Sequence, residues 1–163
     1  MNGSVKIYEQ LKKLDIQFEY YEHPPASTIE IAKEYWKDLD ATHCKNLFFR
    51  NHKGDRHYLV VFEHEQNLTV KWLEQTLKQG KLSFASDWRL EQYLQIKAGS
   101  VSPLSLIYDI NNHVYVFFDE ILLKSHKISF HPGINTASLV LKFRDFERYM
   151  ESTGNSFEFM KLY

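Results

Sequence analysis

The chain is 163 residues long, 44% hydrophobic and 15% aromatic, enough to close one core without disulfide or metal staples. Twenty Lys and Arg against twenty-one Asp and Glu leave a formal charge of −1, which argues against a protein held to nucleic acid by bulk charge. The single cysteine, Cys44, excludes an internal disulfide and a C-x-x-C zinc knuckle, and no apolar run approaches the ~20 residues of a membrane-spanning helix.

Met1-Asn2-Gly3-Ser4 opens a polar stretch with no apolar signal region, so a cytoplasmic protein is expected. Ile7, Tyr8, Leu11 and Leu14 recur at helical spacing, and Ile16, Phe18 and Tyr20 then alternate with Gln17, Glu19 and Tyr21 as in a half-buried strand. His23-Pro24-Pro25 ends that strand, and Ser27-Thr28-Ile29-Glu30 has the form of a capping box for a helix reaching Trp36. Apolar runs at 47–50 and 57–62 flank the turn-prone Asn51-His52-Lys53-Gly54-Asp55 and predict a hairpin with Lys45 at its entrance. Leu68, Trp72, Leu73 and Leu77 keep a helical period that Gly80 is placed to end, and Trp88, Leu90, Tyr93 and Leu94 predict another short helix. After a loop at 99–103, segments 104–108 and 114–118 around Asn111-Asn112 predict a second hairpin. Strands are expected at 128–130 and 137–141, a helix at 144–150, and a last strand at 157–162 after the Gly154-Asn155 turn. With no repeat or linker, residues 1–163 are expected to form one α+β domain, a mixed, mostly antiparallel sheet with surrounding helices, since few crossovers are long enough for parallel pairs.

Neither G-x-G-x-x-G nor G-x-x-x-x-G-K-[ST] occurs, so the usual dinucleotide and P-loop phosphate cradles are absent. Eight histidines raise the question of a metal, but His64-Glu65 is followed by Leu68 where H-E-x-x-H needs its second histidine, and no metal is expected. Cys44 reads as a small buried residue rather than a nucleophile. Lys45, set among Cys44, Leu47, Phe48 and Phe49, must either snorkel to water or face a functional cavity. On a regular strand Lys45 and Asn46 point to opposite faces, so they are expected to share a site only near a strand end or bulge. Gly99-Ser100-Val101-Ser102-Pro103 is either an ordinary turn or a cradle of backbone N–H groups for an oxyanion or carboxylate. His131-Pro132-Gly133-Ile134-Asn135-Thr136 is likewise a turn or a ligand-binding loop. Lys124, Lys127, Lys142, Arg144 and Arg148 could make a local basic patch, although scattered solvated charges are the simpler reading.

Taken in order, Cys44-Lys45-Asn46-Leu47, Gly99-Ser100-Val101-Ser102-Pro103-Leu104 and His131-Pro132-Gly133-Ile134-Asn135-Thr136-Ala137 resemble the motif set of the YbaK and prolyl-tRNA-synthetase-associated editing family. Glu22-His23-Pro24-Pro25, Ser27-Thr28-Ile29-Glu30 and Lys81-Leu82-Ser83-Phe84-Ala85-Ser86 extend the resemblance over nearly the whole chain, toward the PrdX-type branch. Segment 38–43 departs from the pattern, and His43 has no family role. The resemblance implies a sheet curled toward a barrel with helices around it, and a free-standing deacylase that needs no cofactor. PrdX-type members remove alanine from tRNA specific for proline and YbaK-type members remove cysteine; the His131-Pro132 loop running into Asn135-Thr136-Ala137 favours alanine. The implied partners are the acceptor end of mischarged tRNA(Pro) and, as a candidate, prolyl-tRNA synthetase.

Hydrolysis of such an ester needs an attacking water, a stabilised carbonyl oxygen and a leaving ribose hydroxyl. The expected catalytic set is Lys45, Gly99, Ser100, Val101 and Ser102. Lys45 would hold the terminal phosphate or ribose, and loop N–H groups would meet the oxyanion, where one donor is typically worth about 3 to 4 kcal/mol of barrier. Substrate contacts are expected from Asn46, Pro103, His131, Gly133, Asn135 and Thr136, with pocket walls from Tyr20, Ile29 and Ile134. The resemblance points to the substrate's own 2′-hydroxyl as activator of the water; His131 is an alternative base by residue type. Two rivals are a deacylase for cysteinyl- or seryl-type mischarged tRNA and a non-catalytic module binding tRNA or a synthetase.

Overall fold

The computed structural model of the protein describes residues 1–25 and 29–163; the capping box read at 27–30 therefore falls partly outside the described residues. Helix α1 (Val5–Lys13) starts where the Ser4 hydroxyl accepts from the Ile7 N–H, and it buries Ile7 and Leu11, one turn apart. Strand β1 (Phe18–Glu22) and helix α2 (Ile29–Trp36) follow. The expected hairpin is present as β2 (Thr42–Asn51) and β3 (His57–Glu63), but β2 begins early enough that Lys45 lies within the strand rather than at its entrance. In the connecting turn Gly54 adopts φ +73°, and a Cβ there would come within 2.6 Å of an Arg89 guanidinium nitrogen.

Helix α3 (Val70–Leu77) is capped by Thr69, whose hydroxyl accepts from the Trp72 N–H at 3.1 Å. It ends at left-handed Lys78, two residues before the expected Gly80. The short strand β4 (Leu82–Phe84), helix α4 (Asp87–Leu94), strands β5 (Tyr115–Asp119), β6 (Lys127–Phe130) and β7 (Ala137–Lys142), helix α5 (Phe143–Thr153) and strand β8 (Phe157–Met160) complete the order. Among the described residues no helix is long and apolar enough to cross a membrane.

The eight strands form one mixed sheet in the order β1-β7-β6-β2-β3-β5-β8, with β4 added on β2. Pairs β1–β7, β2–β3, β2–β4 and β6–β7 are antiparallel, whereas β2–β6, β3–β5 and β5–β8 are parallel. The path has two ends, so the sheet does not close into a barrel. Parallel pairing is thus more frequent than the sequence suggested. The second hairpin does not form: Pro103–Tyr108 winds into a 3-10 helix, and β5 pairs in parallel with β3 and β8. The Ser102 hydroxyl accepts from the Leu104 N–H at 3.1 Å, Pro103 supplies a preset φ, and the Tyr149 hydroxyl donates to the Leu104 carbonyl at 2.6 Å, so local capping and one buried bond override the expected hairpin strand.

Strand β3 is central and buried on both faces. Leu59 and Val61 enter a large core with Ile7, Leu94, Phe118 and Phe146, while Tyr58, Val60 and Phe62 enter a smaller one with Leu73 and Leu77 of α3. Buried Asp109 joins the turn before β5 to the end of α5: its carboxylate accepts from the Val114 N–H and the Asn155 amide, both at 2.8 Å. Asp109→Ala leaves both donors buried without their acceptor and is expected to cost about 2 kcal/mol of stability. A shifted urea midpoint measures it, and an unchanged midpoint would show that the turn is held elsewhere.

Candidate functional site

On the edge of β2 away from β3, β6 pairs only with Thr42 and His43, and β4 pairs only with 49–51. Between them, residues 44–47 have no strand partner among the described residues. Cys44, Lys45, Asn46 and Leu47 all line a cavity of about 490 Å³ that opens at this gap. The lining reaches both sides of the sheet, taking Phe62 from the α3-side core and Phe130 from the larger core. Lys45 and Asn46 therefore share one site although β2 runs in unbroken register with β3, because the cavity wraps around an open edge. A bulge or strand end is not needed.

Lys45 Nζ donates to the Asn67 side-chain oxygen at 2.6 Å and to the Gln66 carbonyl. Both acceptors are uncharged and sit just before α3, so one of the three ammonium donors stays available. The Asn46 amide reaches the Cys44 carbonyl at 3.4 Å, and its side-chain oxygen is buried with no hydrogen-bond partner among the described residues. That acceptor is available to a ligand donor. Burial pushes the Cys44 thiol well above its ordinary range, with Glu63 adding to the effect, so it stays protonated and behaves as a small apolar residue.

Gly99, at φ +90°, and Val101 line the cavity from the opposite wall. Ser100 and Ser102 are buried behind them: the Ser100 N–H is donated to the Lys97 carbonyl at 3.1 Å, and Ser102 caps the 3-10 helix that begins at buried Pro103. His131 lines the cavity and donates its Nδ1–H to the Ala137 carbonyl at 2.7 Å, which leaves Nε2 as the unprotonated nitrogen. Burial holds its pKa below the usual value, partly offset by that carbonyl. Gly133, Ile134, Asn135 and Thr136 form the turn between β6 and β7 and do not line the cavity. Gly133 lies against Ser4, Asn135 approaches Gly99, and the Thr136 carbonyl accepts from the His23 N–H. Tyr20 is on β1, where its hydroxyl accepts from the Asn2 N–H and donates to Glu22, away from the cavity. The Ile29 side chain lies outside the described residues.

Five expected residues thus converge on the cavity: Lys45, Asn46, Gly99, Val101 and His131. Sequence reasoning missed Trp36, Asn67, Thr69, Phe84, Ser129 and Ser138, which also line it. Phe84 lay inside a segment already noticed, whereas Asn67 carries no local pattern at all. Ser138 donates its hydroxyl to His23 Nε2 at 2.9 Å, since His23 Nδ1–H is engaged by the Pro24 carbonyl. Of the supposed basic patch, Lys127 pairs with Glu19 and Arg148 with Asp145, each at 3.0 Å. Glu63, His64 and Glu65 are close enough to hold a metal ion, but they do not line the cavity, and Glu63 already accepts from His64 at 2.7 Å.

His43, without a family role, stacks on Trp36 of α2 with ring centroids 4.4 Å apart and planes 5° from parallel. Its ring is buried, and neither nitrogen has a hydrogen-bond partner among the described residues. Burial, then the neighbouring His64, lowers its pKa to about 4. His57 is also held at about 4, by burial and then by His113 and Arg89. Arg89 donates to His57 Nε2 at 2.8 Å, so His57 Nδ1–H donates to His113 at 2.9 Å.

The profile of a family described as the aminoacyl-tRNA editing domain matches residues 23–149. The chain is similar to the prolyl-tRNA editing protein ProX of Acetoanaerobium sticklandii, with 36% identity over 163 residues, 99% of each chain. It is also similar to prolyl-tRNA synthetase associated domain-containing protein 1 of Mus musculus, with 31% identity over 153 residues, 92% of this chain and 90% of that one. The backbone superposes on a solved candidate trans-editing enzyme for prolyl tRNA synthetase with TM-score 0.67 over 98% of this chain and 99% of that one; at 18% identity the likeness is one of fold.

Because His43 and His57 have folded pKa values below the ordinary 6.5, the unfolded chain binds their protons first as pH falls. Their stabilising contribution is complete above pH 6.5 and is lost toward pH 4. Urea midpoints measured across this window should fall for the wild type and fall less for His43→Phe; parallel curves would contradict the assignment to His43.

Proposed function

Because the chain belongs to the aminoacyl-tRNA editing domain family, we propose that it hydrolyses mischarged tRNA specific for proline, releasing alanine and sparing the prolyl ester. The observation that carries this reading is the convergence at one sheet gap of a lysine with no carboxylate partner among the described residues, a glycine-loop wall and a histidine whose Nε2 is unprotonated. Residues 1–163 act as one editing unit in the cytoplasm, and prolyl-tRNA synthetase is a candidate partner.

Lys45 holds the terminal phosphate or ribose. Asn67 and Gln66 keep its amine at the cavity with uncharged acceptors, so no carboxylate competes with the substrate for it. The carbonyl oxygen of the ester faces the loop at 99–103. The Ser100 N–H is committed to Lys97, Ser102 is buried behind the wall and Pro103 has no N–H, so the oxyanion falls to the amides of Gly99 and Val101, the loop residues that line the cavity. Attack by water on the ester carbon forms the tetrahedral intermediate; its collapse returns the ribose 3′-oxygen with a proton and frees the amino acid. His131 Nε2 and the substrate's 2′-hydroxyl are the groups able to take the water's proton, and a neutral imidazole is ready to accept it.

Selectivity for alanine over proline rests on local walls. A cavity of about 490 Å³ is large enough that total volume does not reject one extra ring. Ala32, Phe62 and Phe130 supply apolar walls where Tyr20 and Ile134 do not. The editing step complements a synthetase pocket built for proline, which rejects a smaller side chain by only about 1 to 3 kcal/mol per missing methylene.

Lys45→Ala is expected to reduce deacylation of alanyl-tRNA(Pro) by about a hundredfold, the scale of one lost charge-assisted contact and its positioning. Circular dichroism should be unchanged. Asn67→Asp, which sets a carboxylate against the same amine, should raise KM and flatten its salt dependence. Wild-type rates in a folded Lys45→Ala protein would refute the role, and tight binding of charged tRNA by the wild type with no turnover above buffer would favour a binding module instead.

A further inference from the structure

We infer that Phe84 is a stacking platform for the 3′-terminal nucleobase of the RNA substrate, so that the nucleotide lies on the α3 side of the sheet while its acyl group enters the gap in β2. The inference rests on the proposed editing function and adds a nucleobase subsite to it.

Phe84 is 59% exposed although it is a large apolar side chain in a strand. It belongs to the cavity lining, at the end of β4. One side of the ring is fixed: Phe84 pairs in register with Phe49 of β2, and their rings stack with centroids 4.8 Å apart and planes 29° from parallel. Phe49 is fully buried, so the platform is anchored to the core and its ring position does not have to be organised on binding. The other aromatic rings of the lining do not offer this: Phe62 and Phe130 are buried, and Trp36 is already stacked on His43.

Sheet geometry places Phe84 on the same face as Lys45. Along β2, Lys45, Leu47 and Phe49 project from the same face, with Lys45 and Phe49 about 13 Å apart along the strand. Leu47 lies between them, packed on the α3-side core that contains Phe49 and Phe62. A nucleotide with its phosphate at Lys45 would lie across Leu47 with its base at Phe84. The Gly99 and Val101 wall lies around the open edge, and Phe130 belongs to the opposite core, so an acyl group on the same terminal ribose passes through the gap toward the second face. An aromatic face accepts any base, and stacking on a flat exposed ring is expected to change affinity on the order of tenfold.

A double-mutant cycle tests this subsite. Two probes are compared, an acceptor-stem microhelix ending in adenosine with amide-linked, non-hydrolysable alanine, and the same RNA with the terminal base removed but the ribose and alanine kept. Removal of the base should weaken binding to wild type by about tenfold and to Phe84→Ala by less than threefold. Phe84→Tyr should behave as wild type, and Phe84→Leu, which keeps apolar bulk without a π face, should resemble Phe84→Ala. Equal losses on base removal in wild type and Phe84→Ala would overturn the subsite, and if wild type still deacylates alanyl-tRNA(Pro) in that case, the editing function stands without it. If wild type neither binds the intact microhelix nor deacylates, the subsite and the function on which it rests fall together.

Discussion

Strand β2 is shared between two groups of strands, and the rest of the site depends on how that sharing leaves it incomplete. β6 engages the start of β2 in parallel and β4 engages its end antiparallel, while β3 pairs with it from Cys44 to Arg50 on the other side. A central strand normally has its backbone satisfied on both edges; here, among the described residues, 44–47 are paired with a strand on one edge only. The surrounding packing keeps that opening in shape. Val60 and Val61 are fully buried on the two faces of β3 directly opposite Leu47 and Asn46, and such close-packed supports do not readily collapse into the space.

The walls of the gap differ chemically. On the α3 side the lining brings Lys45 together with Asn67 and Thr69 just before the helix, beside apolar Leu47 and Phe84. Across the edge, Asn46, the Gly99 and Val101 loop and His131 present a buried oxygen acceptor, backbone amides and a ring nitrogen. Such a division suits a ligand that is anionic at one end and carries an ester at the other. The neighbouring His43 contributes by being uncharged: it is held near 4 chiefly by burial, so it adds no cation beside Lys45 near neutral pH. His43 serves instead as the surface on which Trp36 of α2 rests.

Much of this was legible in the sequence because its pieces are local. Helical periods at Ile7 and Leu11 and at Leu73 and Leu77, the hairpin across Gly54, and the order of the lysine strand, glycine loop and histidine loop are each written in a few consecutive residues. What was not legible depends on distant partners. The position of 104–108 before Asn111-Asn112 suggested a hairpin strand, but Ser102, Pro103 and Tyr149 together wind it into a 3-10 helix. Parallel pairing of β3 with β5, and of β5 with β8, joins segments separated by long connections. The gap itself follows from where β6 stops and β4 begins, so alternation along β2 alone could not reveal how Lys45 and Asn46 face one cavity. For the same reason Tyr20 and Ile134 looked like pocket walls from sequence proximity, whereas β1 turns the Tyr20 hydroxyl toward Asn2 and Glu22.

The most direct measurement is the initial rate of deacylation of alanyl-tRNA(Pro) beside prolyl-tRNA(Pro), each compared with its loss in buffer alone. Rapid release of alanine with the prolyl ester persisting at the buffer rate is the expected result. Equal hydrolysis of the two esters would contradict the assignment of selectivity to this cavity, and no hydrolysis of either above buffer would contradict its assignment as a deacylase for tRNA(Pro).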